Sequence, residues 1–163
     1  MAANLVVEKV KAMLGDDSID IHEIYQKTGS DMSVYNLIII GMPTWYDGEL
    51  QGDWEEYIPE IKEIDFSGKK VAFFGLGDQY GYASFFCDGI GIFAEFIENQ
   101  GGELCGFTST SGFEHDFSKA ERGDQFVGLC LDVDNQDELT DERVEGWIPQ
   151  VLEEFGLLVK NEN

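Results

Sequence analysis

Leu37-Ile38-Ile39-Ile40, followed at once by Gly41-Met42-Pro43-Thr44-Trp45-Tyr46-Asp47-Gly48, is the stretch that decides the fold. Four adjacent large apolar residues leave no polar face. Such a run suits a strand buried on both sides, as in a parallel sheet covered by helices. The strand is read as Tyr35–Gly41, and the loop after it carries Pro43 and Gly48. Lys69–Gly75 is a second strand of the same kind, with Val71-Ala72-Phe73-Phe74 at its centre, and an acidic helix over Gly52–Ile64 lies between the two.

The pattern extends outward in both directions. Asp88–Asn99 reads as a helix with Ile90, Ile92, Phe93, Phe96 and Ile97 inward, closed by Gly101-Gly102. Glu103–Thr108 and Phe126–Leu131 read as strands separated by a polar loop. Thr140 caps a last helix, Thr140–Phe155, with Asp141 and Glu142 in its first turn. Upstream, Ala2–Leu14 is an amphipathic helix ended by Gly15, and Ile19–Ile24 alternates apolar and polar like a strand with one wet face. The class is α/β, in a single domain spanning 1–163.

Composition narrows the function. Thirty-three acidic against ten basic residues give a net charge of −23. Binding nucleic acid requires positive charge to neutralise phosphates, so DNA, RNA and anionic lipid surfaces are poor partners. An acidic surface instead steers the chain towards basic protein faces. No apolar run approaches the ~18–20 residues that cross a bilayer. Met1–Met13 is amphipathic and does not resemble a secretory leader. Cys87, Cys105 and Cys130 lack C-x-x-C spacing and read as buried thiols in a reducing compartment, the cytoplasm. His22 and His115 lie far apart without partners at metal spacing, so no metal site is expected.

In open parallel sheets ligands sit outside the carboxyl ends of the strands. The two loops there are Met42–Leu50 and Leu76–Phe85. The first offers Trp45 and Tyr46; the second offers Asp78, Tyr80 and Tyr82 among three glycines. Exposed aromatics suit a flat apolar ligand, and glycines let backbone approach it. The residues alone leave open whether Trp45 and Tyr82 hold a planar ring, cap the core or contact a protein.

Gly41-Met42-Pro43-Thr44-Trp45 with Gly48-Glu49-Leu50-Gln51 and Asp53-Trp54 resembles the first flavin loop and following helix of flavodoxins. Phe74–Tyr82 resembles their second flavin loop. Phe126-Val127-Gly128-Leu129, Leu131-Asp132 and Asp134-Asn135-Gln136 resemble the end of their fifth strand, and Phe107–Gln125 resembles the insertion of the long-chain members. The likeness runs in order from Ala3 to Leu157.

The resemblance implies a flavodoxin-like sheet of order 2-1-3-4-5 and non-covalently bound FMN as the cofactor. Trp45 and Tyr82 would stack on the two ring faces, and the backbone of Thr44, Trp45, Tyr46, Asp47 and Gly48 would meet the ring edge. The Tyr46 carbonyl is the candidate acceptor for N5–H. Backbone groups around Gly77 and Asp78 would meet the pyrimidine side, with Asp78 near N3–H. Leu76, Phe85, Cys87, Asp88 and Asp134 would lie near the ring or ribityl chain, Leu76 and Phe85 standing where relatives often carry polar residues. The implied function is a one-electron carrier cycling between semiquinone and hydroquinone, with no catalytic residue. Its partners would be redox proteins with basic docking faces: reductases, photosystem or oxidoreductase subunits. A monomer is expected. The alternatives are an FMN-dependent NAD(P)H quinone reductase and an FMN-free remnant that uses the loops to bind a partner.

Flavodoxins begin with a strand and a Thr/Ser-Gly-rich phosphate loop, and this chain starts inside the helix that follows. The expectation is a fragment or a product of a misplaced gene start. A rearranged FMN-free member and a strand donated by a partner chain are the alternatives. Thr108-Ser109-Thr110-Ser111-Gly112 resembles a phosphate cradle in composition but leads into a polar loop. The Gly75-x-Gly77 segment has its third glycine, Gly81, one position late for a dinucleotide fingerprint.

Overall fold

The computed structural model describes residues 2–25, 27–45 and 49–158, except for the side chains of Trp45, Glu49 and Leu50. In chain order the main elements are α1 (Ala2–Leu14), α2 (Gly29–Ser33), β1 (Leu37–Trp45), β2 (Glu49–Leu50), α3 (Gly52–Ile61), β3 (Lys70–Leu76) and α4 (Asp88–Asn99). They continue with β4 (Glu103–Cys105), β5 (Thr108–Ser109), β6 (Glu121–Arg122), β7 (Gln125–Phe126), β8 (Leu129–Leu131), α5 (Val133–Gln136) and α6 (Thr140–Glu154).

The apolar run forms the strand it predicts. Parallel pairing joins Leu37 through Pro43 to Lys70 through Leu76. Alternation then divides the core. Ile40, Met42, Val71, Phe73 and Cys130 face one helical layer, with Trp54, Tyr57 and Ile61 of α3 and Ile90, Phe93 and Ile97 of α4. Ala72, Phe74, Leu129 and Leu131 face the other, with Val6 and Val10 of α1 and Val144, Trp147, Ile148 and Val151 of α6. Two buried faces are the reason the strands carry no polar alternation.

The strand after α4 comes in two pieces. β4 pairs with the first half of β3, Lys70–Ala72, and β8 with the second half, Phe74–Leu76, both parallel and on one edge. The intervening insertion folds into a small antiparallel sheet of order β5-β7-β6. Where the chain rejoins β3, Gly128 allows the contact: a Cβ there would lie 2.2 Å from the Phe73 carbonyl oxygen. The expected order 2-1-3-4-5 is thus met by its last three members, β1, β3 and the two-piece strand.

Ile19–Ile24 is a correction: the segment is irregular. A strand needs a hydrogen-bonded neighbour, and among the described residues none lies beside it. The free edge of β1 and this segment instead face each other across an apolar cavity of about 350 Å³, lined by Ile19, Ile24, Leu37, Ile39, Trp54 and Leu152 among others. His22 is exposed, as its wet-face reading requires, and its Nε2 lies 2.9 Å from the Tyr35 hydroxyl.

Candidate functional site

The loops that follow β1 and β3 leave the sheet side by side, because Pro43 and Leu76 are register partners. Beyond them β1 turns back, and Thr44 and Trp45 pair antiparallel with Leu50 and Glu49. The Thr44 hydroxyl accepts a 2.8 Å hydrogen bond from Gly89 N, tying the first loop to the start of α4. Tyr46, Asp47, Gly48 and the Trp45 side chain lie outside the described residues. Thr44→Val should therefore cost about 1 kcal/mol of stability by leaving that amide unpaired, read as a lowered urea midpoint; an unchanged midpoint would refute the tie.

The second loop is organised by one carboxylate. Asp78 Oδ1 accepts from Tyr80 N at 3.1 Å, Gly81 N at 2.7 Å and Asn135 Nδ2 at 2.8 Å. The Gly81 amide bond is the largest of the effects that hold the Asp78 carboxyl below its ordinary value. Gly81 leaves room for this carboxylate, since a Cβ would meet Asp78 Oδ2 at 2.4 Å and displace it. Tyr82 N bonds back to Asp78 O, and the tyrosine is 40% exposed. Tyr80 is also exposed, its hydroxyl 3.4 Å from Glu114 of the insertion.

The remaining candidates divide by burial. Leu76 and Gly77 hold the loop's root, with Gly77 N bonded to Leu131 O. Phe85 is half-buried, its N–H bonded to Tyr82 O, and Asp134 is exposed in the first turn of α5. The Cys87 side chain is fully buried, and its thiol donates to Gly75 O at 3.8 Å. Asp88 is also fully buried: one oxygen accepts from Lys119 N at 2.7 Å, and burial pushes its carboxyl up. Its second oxygen is buried without a partner among the described residues. Cys87 and Asp88 therefore turn into the core, and any part they have in ligand contact falls to their backbone.

Three polar residues support this loop, and none is a candidate on sequence grounds. Asp132, fully buried, accepts from Gln79 N at 3.1 Å and Gln79 Nε2 at 2.7 Å. Asn135 donates its backbone N–H to Asp132 Oδ1 and its amide to both Asp132 and Asp78. Gln79, itself fully buried, accepts from Glu114 N at 2.8 Å. Gln79 stands inside the quoted loop motif and Asp132 and Asn135 inside the strand-end motif, which is the signal that could have found them.

A parallel α/β sheet with loops leaving adjoining strand ends belongs to the class of open sheets that bind ligands at the carboxyl edge. The comparisons make this specific: the Flavodoxin family matches residues 1–147, and the chain belongs to that family. It is 49% identical over 152 residues to the flavodoxin of Trichodesmium erythraeum, covering 92% of this chain and 89% of that protein. It is 47% identical over 152 residues to the flavodoxin of Nostoc sp. (strain PCC 7120), covering 93% and 89%. Among solved structures, it is similar to the flavin mononucleotide-bound flavodoxin of Fusobacterium nucleatum, with a TM-score of 0.85 and 30% identity, covering 93% of this chain and 90% of that one.

Proposed function

We propose that this chain is a one-electron carrier that holds FMN without a covalent bond and exchanges electrons with proteins bearing basic docking faces. The observation that carries this reading is the adjoining exit of the two loops, one of them presenting an oriented Asp78 and an exposed Tyr82. The residues at this edge fit a flavin. Tyr82 offers an aromatic face, the glycine-bearing loop 77–81 offers close backbone, and Asp78 offers a fixed acceptor for a ring N–H. FMN, when bound, supplies the redox chemistry. The chain's own part is to position, exclude water and tune.

In this reading Trp45 covers the ring face opposite Tyr82. Thr44, Tyr46, Asp47 and Gly48 bring main chain to the ring edge, with the Tyr46 carbonyl as the acceptor near N5. Gly77 and Asp78 serve the pyrimidine side, Asp78 accepting at N3. Leu76, Phe85 and Asp134 border the crevice. Negative charge near the ring disfavours a further negative charge on it. The protein acts as a monomer in the cytoplasm, in keeping with three cysteines that are free and buried. No helix among the described residues is long and apolar enough to cross a membrane.

The test is to add FMN to the purified full chain. Flavin bands with quenched fluorescence, and reduction only through a partner reductase, are expected. Absence of binding would overturn the reading, and so would oxidation of NADPH by the protein alone. Electron transfer to a basic partner should also slow roughly tenfold or more between ~0.01 and ~0.5 M salt, as screening removes steering by the net charge. Stopped-flow rates independent of salt would exclude electrostatic docking.

A further inference from the structure

A second cavity, of about 450 Å³, lies between the insertion and α6, away from the flavin loops. Its wall includes Thr108, Ser109 and Ser111 on one side and Glu142, Arg143 and Gln150 on the other. Arg143 is the group that makes it chemically distinct. Its guanidinium lies over the Phe113 ring, 4.3 Å from the centroid. Among the described residues no carboxylate comes within ion-pair distance of it, and its Nη1 is buried without a hydrogen-bond partner. Desolvation holds the guanidinium below its ordinary pKa, while Asp132, Glu138 and Glu142 attract it only at longer range. Arg143 is half-buried and lacks a direct counter-ion among the described residues, so a ligand that completes it is favoured.

The opposite wall supplies matching donors. The Thr108 hydroxyl is committed to Gly128 O at 2.6 Å. The Ser109 oxygen accepts from Ser111 N at 3.0 Å, which leaves its proton free to donate. Ser111 is exposed, and its hydroxyl makes no hydrogen bond within the described residues. One guanidinium and two serines in the wall of the same cavity are the groups that receive an oxyanion.

We propose that the cavity between the insertion and α6 is a binding site for a small oxyanion of low charge, held by Arg143 with Ser109 and Ser111. Glu142 in the wall and the acidity of the whole chain set the charge limit. A singly charged anion is accepted, and a polyanion is repelled. The composition of 108–112 that resembles a phosphate cradle thus finds its use in a side-chain site and not in a loop that opens a helix.

The test is a titration of the ¹⁵N-labelled full chain with sodium phosphate, against sodium chloride at matched ionic strength. Saturable shifts of the Arg143 side-chain N–H and of the Ser109 and Ser111 amides are expected with phosphate alone. Arg143→Gln should weaken binding about tenfold or more, and Arg143→Lys should restore part of it, because a point charge replaces the fork. The Ser109→Ala/Ser111→Ala double variant leaves the core untouched and should weaken binding about threefold or more. Shifts that follow ionic strength in both salts would overturn the proposal. Equal affinity in Arg143→Gln would do the same. Should that variant not fold, unchanged phosphate affinity in the serine double variant decides against the site.

Discussion

Asp132→Ala is expected to lower the stability of the chain by about 3 kcal/mol, a fall in melting temperature of roughly 6–12 °C for a domain of this size. The magnitude follows from what the carboxylate holds. It receives the backbone and side-chain N–H groups of Gln79 and those of Asn135. Gln79 is fully buried, so its donors have no water to turn to once the acceptor is removed. An unmade hydrogen bond of this kind costs more than a made one contributes. Asp132→Asn keeps one carbonyl oxygen and should lose about half as much. The loop that Gln79 anchors is the one that presents Asp78 and Tyr82, so FMN affinity should fall together with stability. Thermal unfolding with and without FMN checks both; an unchanged midpoint in Asp132→Ala would show that the network is dispensable.

The same residues show how far sequence reading reaches. Leu37–Ile40 announces a doubly buried strand because four large apolar residues have no other low-energy use, and α4 has the Asp88–Asn99 bounds read from its inward stripe. Ile19–Ile24 shows the opposite case. Its alternation is real, with Ile19 and Ile24 half-buried and Ile21 at 63% exposure, but a strand exists only through a partner, which alternation cannot supply. The ends of the two strands read around the insertion were misplaced for a related reason. Glu103–Thr108 holds all of β4 and the first residue of β5, and these lie in different sheets. Phe126–Leu131 likewise holds the end of β7 and all of β8. Two- and three-residue strands show no period, so only the pairing partner separates them.

At the site, the residues that present themselves to a ligand were legible through the loop motifs, and the residues that hold those loops were not. Gln79 and Asp132 are 53 positions apart, and neither carries a signal pointing to the other. Cys87 and Asp88 follow the second loop, and the start of α4 turns both side chains into the core, as the buried-thiol reading of Cys87 expects. Cys87 takes φ 55°, the one positive value at a non-glycine among the described residues.

Trp45→Ala should weaken FMN binding by about 100-fold, the largest effect of any single change at the crevice. An indole covering one face of a flavin removes on the order of 100 Å² of apolar surface from water, worth ~2.5 kcal/mol at about 25 cal/mol per Å², and ring–ring attraction adds roughly 0.5 kcal/mol or more. Together these give about 3 kcal/mol, near two decades in Kd. Tyr82→Ala should lose less, since its ring leaves a 40% exposed position that a neighbouring aromatic, Tyr80, can partly cover. Trp45→Phe keeps a π-face and should retain most of the affinity. Flavin fluorescence, titrated with each variant, reads all three constants, with thermal unfolding as the control for folding. The order matters more than any one value. Loss in Trp45→Ala with retention in Trp45→Phe identifies stacking. Equal loss in both would point to a shape role for the indole instead. Undiminished affinity in Trp45→Ala would remove the ring sandwich, leaving the two aromatic loops as a protein-docking surface.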